Sequence, residues 1–61
     1  MSEVAAARGY ILGFIDALKI TNSDQYDKYA IIWQNIDQID DDVERHKKTI
    51  AYYKSLAFPF L

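Results

Sequence analysis

The sequence predicts an all-α fold, and three observations carry that prediction. Apolar residues recur every three or four positions, and no stretch alternates strictly between apolar and polar. Glycine and proline occur only as Gly9, Gly13 and Pro59. Cysteine is absent, so disulfides cannot offset the marginal core of a 61-residue chain, and regular helix packing or oligomerisation has to. The length allows one domain, residues 1–61, with residues 58–61 as an apolar tail.

The first helix is expected over about 3–20. Ser2 is a suitable N-cap, and Glu3 sits in the electropositive first turn. Thr21-Asn22-Ser23-Asp24 collects residues that prefer turns and caps, so the loop is placed there, with Ser23 or Thr21 capping the second helix. From Asp24 to Ala57 the positions Tyr29, Ile32, Ile36, Ile39, Val43, His46, Ile50, Tyr53 and Ala57 keep an unbroken 3,4 spacing, the pattern of one long helix with one packed seam. Asp41 with Arg45 and Glu44 with Lys48 support it as i,i+4 pairs. Pro59 ends the helix near Ala57.

The favoured architecture is therefore a helical hairpin, a helix at 3–20 and a long, kinkable helix at 24–57, assembling as a homo-oligomer. The competing architecture is a monomeric three-helix bundle broken at 40–42. Asp41 with Glu44 three residues later resembles a capping box, but no Gly, Pro or Asn is there to make a reversal. On the hairpin reading, replacing Asp40 and Asp41 by alanine should stabilise the protein.

Two faces stand out on the first helix. Val4, Ala7, Ile11, Phe14, Ile15 and Leu18 form a large apolar face, whereas Ala5, Gly9, Gly13 and Ala17 recur every fourth residue as a stripe of small side chains. A mid-helix glycine costs roughly 1 kcal/mol relative to alanine, and close approach of another helix would account for two. The expected packing or oligomer contacts are therefore Ala5, Gly9, Gly13 and Ala17 together with Tyr29, Ile36, Val43, Ile50 and Tyr53. On that basis Gly13→Leu should disrupt folding or assembly more than Leu12→Ala.

Charge is segregated: residues 1–20 are neutral, 21–44 hold seven acids against Lys28, and 45–61 hold Arg45, Lys47, Lys48 and Lys54 without an acid. Such a chain complements a second antiparallel copy, or itself when folded back. The net charge of −2 argues against a general nucleic-acid binder, and Arg45-His46-Lys47-Lys48 reads as a solvated face. His46 is expected on the seam, bonded to Asp42, since two ligands one turn apart fall short of a metal site. No metal or other cofactor is expected. Nor is catalysis: the carboxylate pairs Asp37/Asp41 and Asp40/Glu44 have a spacing common on wet helices, and no nucleophile–base pattern or phosphate loop accompanies them.

Aromatic residues are the remaining signal. Trp33 is expected in the core. Tyr10, Tyr26, Tyr52, Phe58, Phe60 and Leu61, with Arg8 and Lys19, are the candidate contacts to a partner or ligand. The functional expectation is a non-enzymatic, cytoplasmic interaction protein that binds and occludes a macromolecule, of the inhibitor, antitoxin or adaptor type that phages and mobile elements often encode. The alternative is an oligomer that binds or sequesters a small ligand such as a nucleotide. A dimeric DNA-binding regulator comes third, and no uncharged stretch approaches the ~20 residues of a membrane span.

Overall fold

The computed structural model describes residues 2–59, which form three helices, α1 (Glu3–Thr21), α2 (Ser23–Asp37) and α3 (Asp42–Ala57). The Ser2 side chain accepts from the Ala5 amide and caps α1, whose apolar face becomes the core wall: Ala7, Ile11 and Ile15 are buried, and Val4, Phe14 and Leu18 half-buried. The expected four-residue loop after α1 shrinks to Asn22. Its amide closes α1 on the Leu18 carbonyl, and its side-chain oxygen accepts from the Gln25 amide. Asn22 thus does the capping expected of Thr21 or Ser23. The Thr21 hydroxyl instead bonds back to the Ala17 carbonyl, and Ser23 is the first residue of α2.

The long helix over 24–57 is not formed, and the hairpin gives way to the three-helix alternative. After Asp37, Gln38 stays near helical geometry and Asp41 turns extended, at φ −72° and ψ 119°. No described residue has a positive φ, which is why the reversal needs no glycine or asparagine. The Asp41 carboxylate accepts from the Glu44 amide at 2.9 Å, half of a capping box. Arg45 then closes the loop, donating from Nη1 to the Ile39 carbonyl at 2.8 Å and from Nη2 to Asp42, so the expected Asp41–Arg45 pair is replaced. Glu44 and Lys48 do approach, at 4.0 Å. With this geometry the sign of the aspartate prediction reverses. Asp41→Ala removes a cap worth typically ~1 kcal/mol and should lower the melting temperature by about 4–8 °C in a domain this size. Calorimetry on the single variant checks it.

The three helices run up, down and up. Arg8 meets Asp37 while Phe14 meets Tyr29, so α2 is antiparallel to α1; Val4 and Ala5 share a cleft with Arg45 and Thr49 while Tyr10 meets Tyr53, so α3 lies beside α1 in the same direction. The acidic α2 and the basic α3 are therefore antiparallel neighbours within one chain. Ile11, Ile15, Trp33 and Tyr52 form the centre, with Tyr29, Ala30, Ile36 and Leu56 packed around them. Trp33 lies in the core as its sequence position suggests. The heptad seam is broken: Tyr29, Ile36 and Tyr53 pack against the core, but Val43 is 63% exposed, His46 is exposed, and Ile32 is 38% exposed. The stripe that faces the core on α3 is Arg45, Thr49, Tyr52 and Leu56, one position before the expected His46, Ile50, Tyr53 and Ala57. Buried Thr49 is compatible with this face because its hydroxyl is spent on the Arg45 carbonyl, 2.8 Å away.

Tyr52 joins α3 to α2 by donating its phenol hydrogen to the Tyr29 carbonyl at 2.9 Å. Burial, reinforced by the neighbouring Tyr29, pushes the Tyr52 phenol above its ordinary 10.0. Raised in the folded state, this group stabilises the fold fully below the unfolded-state value, and that stability is lost as pH rises through the folded value. Urea unfolding at stepped alkaline pH should show a loss above about pH 10. Tyr52→Phe should lack that component while losing about 1 kcal/mol at neutral pH with the hydrogen bond.

Candidate interaction surface

The bundle covers one face of α1 and leaves the opposite face to solvent. Ala5, Ala6, Gly9, Leu12, Gly13, Asp16, Ala17 and Ile20 are all exposed, Leu12 by 41% and Ile20 by 88%. At 100° per residue they cover about 140° of the helix circumference. Asp16 is the one charge among them, so the surface is a continuous apolar strip along a helix about 28 Å long. No helix of the same chain packs on the small stripe: a Cβ added at Gly9 or Gly13 would meet nothing within 4 Å. Leucine at position 13 therefore has room within the bundle, and the folding half of the Gly13→Leu expectation is revised. Any effect of that substitution has to appear in association.

The other expected contact residues divide by depth. Tyr29, Ile36 and Tyr53 are half-buried against the core, Ile50 is half-buried, and Val43 stands in solvent. Tyr52 is buried with its hydroxyl spent, and Tyr26 is half-buried with part of its ring against the core. Tyr10 and Phe58 remain exposed, by 44% and 47%, on either side of Tyr53. Their rings meet it edge-on at centroid distances of 5.2 and 6.0 Å. Tyr10 also lies 6.5 Å from Phe14. The result is an aromatic ridge along the α1/α3 junction, half of whose area is available. Phe60 and Leu61 lie outside the described residues.

Lys19 is exposed near the end of α1. Arg8 is not a loose surface charge: Nη1 donates to Asp37 at 2.9 Å, and the guanidinium carbon lies 5.5 Å from the centre of the Trp33 ring. Arg8 also borders a cleft of about 240 Å³ between α1 and α3, lined by Val4, Ala5, Arg8, Arg45, His46 and Thr49. Sequence reasoning assigned Arg45 to a solvated face and His46 to the packed seam, and it did not bring either to Arg8. The expected His46–Asp42 bond is not formed, because Asp42 pairs with Arg45. The signal for this cleft was the Asp41–Glu44 cap. A chain that restarts a helix at Asp42, parallel to α1, sets Arg45 and Thr49 beside Val4 and Arg8.

No helix among the described residues is long and apolar enough to cross a membrane. Comparison with protein-family models, curated proteins and solved structures returned no match.

Proposed function

We propose that this protein acts by binding rather than by catalysis, as a small helical interaction protein that pairs with a second copy through the outer face of α1 and occludes a macromolecular partner. The observation that carries the reading is the uncovered apolar face of α1. Exposed apolar surface of this continuity on so small a domain is characteristic of contact surfaces.

The face is complementary to itself. When two α1 helices are laid antiparallel, crossing between Leu12 and Gly13, Leu12 falls opposite Gly13 of the second copy and Ile20 opposite Ala5 of the second copy. Each large side chain meets a small one, which lets the backbones approach, and two mid-helix glycines acquire a reason. The only charge on the face, Asp16, falls opposite Gly9 of the second copy, one residue from Arg8 of that copy on the same flank, so a cation is near it and it is not buried alone.

The aromatic ridge of Tyr10 and Phe58 lies to one side of this face and stays open in such a pair. It is the surface assigned to the macromolecular partner, since partly exposed aromatics supply most of the anchoring area in interfaces of this type. Site-specific photo-crosslinking in producing cells tests both contacts. A crosslinker replacing Leu12 should give an adduct at twice the chain mass. One replacing Phe58 should give a discrete heavier adduct, and one replacing Lys47 should give neither. Absence of the Leu12 adduct removes the pairing, and absence of the Phe58 adduct removes the occlusion.

A further inference from the structure

We propose that the cleft between α1 and α3 is a binding site for a small oxyanion, with the phosphate group as the ligand it fits. Ala5 and Arg8 border both surfaces, but the inference does not require the pairing through α1. Arg8, Arg45 and His46 line the cleft, and no acidic residue does. The carboxylates that hold the two arginines, Asp37 and Asp42, both lie outside the lining. Each guanidinium is thus anchored by an acid without filling the cleft with negative charge.

The free donors point the same way. A guanidinium carries five N–H donors. Arg8 commits Nη1 to Asp37, and Arg45 commits Nη1 to the Ile39 carbonyl and Nη2 to Asp42, so most donors on both are left over. His46 makes no hydrogen bond to any described residue and adds a further donor. The hydroxyl hydrogen of Thr49 is already spent on the Arg45 carbonyl, so ligand donors come from the two guanidiniums and the imidazole. Planar guanidiniums match the paired oxygens of phosphate, and two of them border one cleft.

Size sets the class. A cleft of about 240 Å³ is smaller than the roughly 300–1,000 Å³ that encloses a drug-sized ligand, so it takes a group of a few heavy atoms and leaves the rest of a larger molecule outside. Free phosphate and the phosphate of a nucleotide share this chemistry.

The test is a titration of the full chain with inorganic phosphate and, separately, with adenosine monophosphate, at constant ionic strength and followed by amide NMR. The expected result is saturable shifts at Arg8, Arg45, His46 and Thr49 with both. Binding of the nucleotide more than about tenfold tighter makes a nucleotide the source, and similar affinities make it free phosphate; a factor of ten corresponds to ~1.4 kcal/mol. His46→Asp places a carboxylate in the lining at an exposed position and should weaken binding about tenfold or more. Lys47→Gln removes one unit of positive charge next to the cleft, outside the lining, and should change affinity by less than about twofold. Shifts that never saturate, or equal losses in the two variants, would overturn the proposal.

Discussion

Trp33→Ala should leave the protein largely unfolded at 25 °C. Removing a buried tryptophan costs about 3–5 kcal/mol, and a chain of 61 residues has roughly 3–9 kcal/mol in total. The loss here exceeds the cavity alone. Trp33 is the one buried residue of α2, and it is also the surface against which Arg8 rests while pairing with Asp37. Without the indole, α2 keeps only half-buried contacts and the Arg8–Asp37 pair loses its backing. An exposed pair of this kind contributes little by itself, ~1 kcal/mol at most. Far-ultraviolet circular dichroism reads the outcome directly, since the substitution deletes the only tryptophan and with it the fluorescence signal. Retention of a cooperative melt near the wild-type temperature would mean that α2 is held by something other than this contact.

Ile11→Ala is expected to cost about 2–5 kcal/mol, against less than ~1 kcal/mol for Leu12→Ala beside it. The two neighbours separate the faces of α1: Ile11 is 0% exposed at the centre of the bundle, and Leu12 is 41% exposed on the outer face. Ile11→Val, which removes one methylene, should fall between them at about 0.5–1.5 kcal/mol. Denaturant midpoints with an unchanged slope would place these effects on stability alone. Equal costs for Ile11→Ala and Leu12→Ala would show that the outer face is part of what holds the monomer together.

That contrast also marks what the sequence made legible. The apolar face of α1 was readable because six residues keep helical spacing and all six are buried or half-buried. Ser2 and Pro59 act through local geometry, so the start of α1 and the end of α3 depend on a few neighbouring residues. The break between α2 and α3 was hidden by an accident of phase. Val43 and His46 continue the spacing of Ile36 and Ile39 yet point to solvent, while Arg45 and Thr49, polar in composition, sit on the inward stripe, Thr49 with its hydroxyl spent on the Arg45 carbonyl and Arg45 with one donor on the Ile39 carbonyl. A hydrophobic pattern cannot register burial that polar residues achieve through such bonds. The cleft was legible only through the Asp41–Glu44 cap, because its arginines come together only once the chain reverses after Asp37. The small stripe was legible as an oddity, and the structure sharpens it by showing that no described residue would meet a side chain begun at Gly9 or Gly13.

The central claim, that the outer face of α1 is a contact surface rather than a tolerated exposure, makes Gly13→Leu a divided experiment. The bundle has space for the side chain, and leucine has the better helix propensity by up to ~1 kcal/mol, so the fold should persist or gain. The approach of a second α1 should be blocked. Sedimentation equilibrium of the wild-type protein at high micromolar concentration tests the claim most directly. The account predicts a mass approaching twice the 7.1 kDa of the chain, falling to the monomer in Gly13→Leu, and a wild-type protein that stays at 7.1 kDa across the concentration range would contradict it.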